Sequence, residues 1–318
     1  MQHRVPRWTA TVVASALVVS GFSNPAFSSP VNAETRVLNK VTNAVAAAEQ
    51  AAGASGTLRP DAIAGSRTAE TVHSKNGIVN IPNDPTDGVS LATSTGAKIT
   101  VGIPHARSAA RGALGASGTT VYMDAASNSA TAIQATSDGM RQLFVLNNSA
   151  APTTFTVPLY LPAGAHIMDG RSGGYEFVAG QENSAGLATV ASIGAPWAKD
   201  ATGKSLPTTY SLNGNQLSQH VDTTGAIFPV VADPHYTWGW VTGTIYFNKT
   251  ETKKFAVGVG VAGFIASLTG PWSALLRGYA AWIGAVAGWA LADNKCVAFK
   301  STLQPVMYSG NQGGGFCR

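Results

Sequence analysis

Between Val72 and Asp233 the chain alternates short apolar runs with turn residues, and this alternation limits the fold more than any other feature. Runs such as Ile78–Ile81, Val89–Thr93, Lys98–Ile103, Thr119–Met123, Thr131–Thr136 and Arg141–Asn147 read as strands. Thr154–Leu161, His166–Asp169, Tyr175–Val178, Leu187–Ala191, Thr208–Leu212 and Ile227–Val231 continue the series. The segments between them (NDPTDG, STGA, NNSAAP, LPAG, DGRSGG, LNGN) carry the Asn, Asp, Gly and Pro that turns require. Short strands at this spacing predict an antiparallel β-sandwich or a related all-β layout. Upstream, residues 34–52 place Leu38, Val41 and Val45 at helical spacing, with a modest apolar face that predicts a helix either loosely docked or mobile. A Gly/Ser/Pro-containing linker follows over residues 53–70.

The pattern changes after residue 234. HYTWGWVTGTIYF alternates as one strand, with Tyr236, Trp238, Trp240, Thr242, Thr244 and Tyr246 on one face and Val241, Ile245 and Phe247 on the other. Asn248 or Thr250 offers an N-cap to a following helix. From Phe255 to Ala292 the single charge is Arg277. Phe255–Leu268 as a helix spans about 21 Å, short of a hydrocarbon core of about 30 Å, whereas Pro271–Ala292 spans about 33 Å. Gly284 and Gly288 form a GxxxG spacing that lets helices approach closely. Two readings stay open. Either the segment is a buried or self-associating helical hairpin, or it is membrane-active. In the second case Val257, Phe264, Trp272, Trp282 and Trp289 insert, while Gly284 and Gly288 pack helices.

Charge separates the two regions. Residues 34–234 hold 12 Lys/Arg against 14 Asp/Glu, and residues 235–318 hold 7 against 2. The tail is cationic as well as apolar, which suits an anionic membrane or cell-envelope surface. The slightly acidic β-region speaks against nucleic acid as a partner. At the N-terminus, His3, Arg4 and Arg7 precede an apolar run from Trp8 to Phe22, and Val31-Asn32-Ala33 ends in small residues. That pattern predicts a cleavable export signal, cut after Ala33. Cys296 and Cys317 are the only cysteines, and in an exported chain they pair most simply as one disulfide worth about 3 kcal/mol.

The expected layout is a signal peptide (1–33), an amphipathic helix with linker (34–71), a β-rich domain (72–234) and a C-terminal region (235–318). The last comprises a strand, an apolar helical hairpin and the Cys296/Cys317 tail. The fold class is α+β.

Catalytic constellations are weak. Gly170-Arg171-Ser172-Gly173-Gly174 fits GxSxG, but a nucleophile elbow requires a helix after it, and Tyr175-Glu176-Phe177-Val178 reads as a strand. His220-Val221-Asp222 lacks a nucleophile, and Asp84, Asp87 and Gly88 lack the ligand spacing of a calcium loop. The mature chain's histidines do not cluster as a metal set, so no cofactor or metal is expected.

Residues 195–240 carry a recurrent set of motifs: Pro196-Trp197-Ala198, Asp200, Gly203, Pro207-Thr208-Thr209-Tyr210, Asn215-Gln216-Leu217 and Phe228-Pro229-Val230-Val231-Ala232-Asp233-Pro234. In these the chain resembles an uncharacterised family of exported actinobacterial proteins, with Phe228 standing where a tyrosine is usual. The tail is similar to the ends of small relatives through Asn294-Lys295-Cys296, Tyr308-Ser309-Gly310 and the final aromatic–Cys pair. The resemblance implies an exported carrier domain with an interchangeable end, and it supplies no catalytic residue. The expected function is that of a non-enzymatic, bacteriocin-like or toxin-like membrane effector. The alternative is a cell-envelope structural or binding protein.

Overall fold

The computed structural model describes residues 31–54, 69–74, 77–93, 98–170, 173–180, 187–238, 244–258, 280–300, 304–309 and 317. Two antiparallel sheets dominate. The first runs in the order β1 (Glu70–Ser74), β2 (Gly77–Ile81), β3 (Val89–Thr93), β4 (Lys98–Val101), β9 (Thr154–Tyr160), β15 (Gln216–Val221) and β14 (Thr208–Asn213). The second joins β5 (Ala113–Leu114), β6 (Thr119–Asp124), β7 (Ser129–Thr136), β8 (Gly139–Leu146), β17 (His235–Trp238) and β12 (Leu187–Ile193). It continues through β18 (Thr244–Tyr246) and β19 (Cys296–Lys300) to β20 (Pro305–Tyr308). β11 (Tyr175–Gly180) and β10 (Ala165–Asp169) branch from β12, while β16 (Val230–Asp233) and β13 (Trp197–Lys199) branch from β8.

Period-two alternation explains the packing between the sheets. Val79, Leu91, Ile99, Val101, Phe155, Val157 and Leu217 point inward from the first sheet. They meet Ile133, Met140, Phe144, Ala191, Ile193 and Tyr236 from the second. Phe144 and Phe155 stack across this interface with ring centroids 4.6 Å apart. At the β8–β17 crossing a Cβ on Gly139 would lie 2.0 Å from the Tyr236 carbonyl oxygen, so only glycine fits there.

β7 and β8 are buried along their whole length because both faces of the second sheet are covered. Helix α1 (Val31–Ala52) packs Leu38, Val41, Val45 and Ala48 against Ala130, Ala132, Leu143, Val145 and Val231. This corrects the expectation of loose docking: Val41 is 1 % exposed and Val45 0 %. A buried ion pair adds to the apolar contact. Arg141 Nη1 donates to Glu49 Oε1 at 2.8 Å, and Gln134 Nε2 donates to Glu49 Oε2 at 3.1 Å and to Thr119 Oγ1 at 3.0 Å.

The motifs behind the family resemblance act as structural anchors. One Asp200 carboxylate oxygen accepts from the Thr202 and Lys204 backbone amides, closing the turn in which Gly203 adopts φ +82°. The other accepts from Ile227 N at 3.3 Å. Hydrogen bonding to Thr202 comes first among the causes that hold the Asp200 carboxyl below its ordinary range. Tyr210 donates its hydroxyl to the Asp233 carbonyl oxygen, and Trp197 lies opposite Asp233 in the β13–β16 register.

Candidate functional site

At the C-terminal end of the second sheet, local capping and aromatic packing build a platform. Asn248 caps helix α2 (Lys249–Ala256) through a complete capping box: Glu251 N donates to Asn248 Oδ1, and Asn248 N donates to Glu251 Oε2. Phe255 then meets Phe247 edge-on, with centroids 4.6 Å apart. Thr252 ties the helix to the sheet, because its Oγ1 donates to Asn248 O and accepts from Val297 N. Tyr308 donates to the Phe247 carbonyl oxygen, and burial pushes its hydroxyl pKa well up. The Cys296–Cys317 disulfide joins β19 to the chain end, with Cα atoms 5.7 Å apart.

Helix α3 (Ala280–Ala292) lies against this platform. Its inner stripe, Ile283, Val286, Ala287 and Ala290, is buried with Phe247, Phe255 and Phe299. Its outer stripe is apolar too. Trp282 is 43 % exposed and Trp289 62 %, while Ala285 and Gly288 between them are exposed. Val257, just beyond α2, is 72 % exposed. Lys253 and Lys254 are exposed in the last turn of α2. A helix that is apolar all round but covered on one side leaves hydrocarbon facing outward, which a helix of a water-facing domain ordinarily avoids.

The structure brings Val257, Trp282, Gly284, Gly288 and Trp289 into one helical platform, whereas Phe264 and Trp272 lie outside the described residues. The two glycines sit differently. A Cβ on Gly284 would rest 3.5 Å from the Phe255 carbonyl oxygen, in ordinary contact with α2, and one on Gly288 would meet nothing within 4 Å. The expected strand over HYTWGWVTGTIYF is described at its two ends, β17 and β18, both antiparallel to β12, and residues 239–243 lie outside the described set.

The other candidates have local structural roles. Gly170 and Gly174 close the β10–β11 hairpin through Gly170 N to Gly174 O at 2.9 Å, so antiparallel strands flank the GxSxG sequence, and Ser172 itself lies outside the described residues. Asp84 caps a short 3₁₀ turn over Pro85–Asp87, as its Asn/Asp/Gly setting suggests. His220 pairs with Thr154 Oγ1 at 3.0 Å, and Asp222 accepts from Thr224 N. Among the described residues no three His, Cys, Asp or Glu side chains gather as a metal site.

One buried ionisable group lay beyond sequence reasoning. Asp233 is 1 % exposed, its Oδ1 has no hydrogen-bond partner, and burial pushes its carboxyl up to about 7. Arg141 and a hydrogen bond with Trp197 oppose that shift, and Glu49 adds to it. An unfolded aspartate ionises near ~3.9, so the unfolded state loses this proton first as pH rises. This group therefore lowers stability progressively from about pH 4 to pH 7, at about 1.4 kcal/mol per unit of pKa difference. Asp233→Asn is expected to flatten that decline in the melting temperature, which a thermal melt series from pH 4 to 8 measures directly.

The chain matches no protein-family model and no curated protein.

Proposed function

We propose that this is an exported, non-enzymatic protein whose C-terminal platform engages an anionic membrane surface, with the β-sandwich as its carrier. The observation that carries this reading is the outward apolar stripe of α3, with Trp282 and Trp289 exposed beside Val257 and near two lysines. Among the described residues no helix is long and apolar enough to cross a membrane. At 13 residues α3 covers about 20 Å, so it suits burial in the interfacial layer. Tryptophan favours that depth, and lysines gain about 1 kcal/mol each near an anionic surface. The disulfide fits an extracellular setting, in keeping with the predicted export signal.

A second reading, an envelope protein whose helices serve as core, draws support from the buried inner stripe of α3. Vesicle sedimentation separates the two. Trp282→Ser/Trp289→Ser is expected to weaken binding to phosphatidylglycerol vesicles by about 2–4 kcal/mol, from two aromatic side chains withdrawn from the interface. Binding by the variant equal to that of the original chain favours the core reading.

A further inference from the structure

Far from α3 in sequence, the outer face of the first sheet carries a different chemistry. Across its seven strands the only carboxylate, lysine or arginine side chains are Glu70 and Lys98, and Glu70 is buried. The outward positions are instead mainly hydroxyls and amides, and strand register aligns them into rows. One row runs Thr71, Asn80, Ser90, Thr100 and Tyr160 across β1, β2, β3, β4 and β9, with Ser90 itself buried at 6 % exposure. Thr71 Oγ1 donates to Asn80 Oδ1 at 2.9 Å, and Asn80 Nδ2 donates to Ser90 Oγ at 3.4 Å, so the near end of the row is held in place. Tyr160, 61 % exposed, closes the far end. With strands about 4.8 Å apart, the row is ~19 Å long.

A shallow cleft of about 260 Å³ opens at the near end of this row, lined by Thr71, Asn80, Ser90 and Lys98 together with Glu70 and Asp87. Its size lies just under the roughly 300–1,000 Å³ of pockets that enclose drug-sized ligands, which leaves room for a single ring. Burial raises the Glu70 carboxyl above its usual range, against a hydrogen bond from Thr120 that lowers it.

We propose that this face binds an uncharged polysaccharide, one sugar seated in the cleft and the chain running along the row to stack on Tyr160. Sugar hydroxyls both donate and accept hydrogen bonds, as do the Thr, Ser and Asn side chains that would meet them. The exposed tyrosine offers an apolar ring with a polar tip to the C–H face of a pyranose. Charge of both signs, Lys98 and Asp87 at the cleft and none on the rest of the row, disfavours a polyanion or polycation, either of which calls for a concentrated field of opposite sign. The surface is separate from the α3 platform, so membrane binding and glycan binding fail independently.

The test is co-sedimentation of the full chain with insoluble chitin, cellulose and starch, with heparin beads as the charged comparison. Retention on at least one neutral polysaccharide is expected, above that on heparin. Tyr160→Ala is expected to weaken it about tenfold, as for loss of one stacking platform, with unchanged circular dichroism. Asn80→Ala, at the other end of the row, is expected to weaken it as well. Absence of retention on all three glycans, stronger retention on heparin, or full retention by both variants would overturn the proposal.

Discussion

Arg141→Met should destabilise the chain by about 3–5 kcal/mol, because it leaves the Glu49 carboxylate unpaired at a buried interface. The two side chains are 5 % and 12 % exposed, so water cannot readily replace the lost partner. The same change strips a positive charge from the vicinity of Asp233, whose carboxyl Arg141 holds down. Glu49→Leu combined with Arg141→Met should recover most of the loss, since an apolar pair of similar volume removes the desolvation penalty along with the attraction. Urea unfolding of the two single variants and the double variant measures this, and limited proteolysis reports whether α1 is released first. Equal stability of the double variant and Arg141→Met would mean that the loss does not come from leaving Glu49 without its partner.

Phe255→Ala should cost about 3–5 kcal/mol in the stability of the C-terminal platform. Phe255 is 2 % exposed, packs edge-on with Phe247, and lies in the same cluster as the α3 residues Ile283, Val286, Ala287 and Ala290. Truncation removes the side chain that α2 contributes to the support of α3, so the outward tryptophans lose their fixed presentation. Thermal unfolding followed by tryptophan fluorescence should show an early transition absent from the original chain. A single unshifted transition would show that α3 is held by its contacts with β19 and β20 alone.

Much of the β-architecture was legible because alternation survives wherever one face of a strand meets the core and the other meets solvent. β3 matches its predicted span, and β9, β10 and β14 match theirs within a residue. β15 was missed for a physical reason: Gln219 points inward at 1 % exposure, breaking the apolar rhythm, and its Nε2 donates to the Trp197 carbonyl oxygen and Thr208 Oγ1 while its buried Oε1 has no partner. β1 was hidden because ETVHS offers one inward aliphatic residue, Val72, after a linker-like segment. Ile227 read as a strand start but is 56 % exposed, and β16 begins at Val230.

The tightness of α1 could not be read locally. The helix packs on residues from strands far along the chain, with Glu49 meeting Arg141 92 residues away, and a narrow apolar stripe alone carries no sign of those partners. The candidate platform was partly legible. The capping residue Asn248, the cysteine pair and the apolar run were visible in the sequence, but which face of α3 turns outward was not, because every position on that helix is apolar. The row of hydroxyls and amides on the first sheet was likewise invisible, since it exists only through the register of five strands.

The proposed membrane engagement requires Trp282 and Trp289 to enter the lipid surface. Tryptophan fluorescence of the full chain, measured on phosphatidylglycerol vesicles with brominated acyl chains, tests it most directly. Strong quenching relative to unbrominated vesicles is expected, with loss of most of that quenching in Trp282→Phe/Trp289→Phe. Fluorescence unchanged by the brominated lipid, or quenching equally deep in the variant, would contradict it.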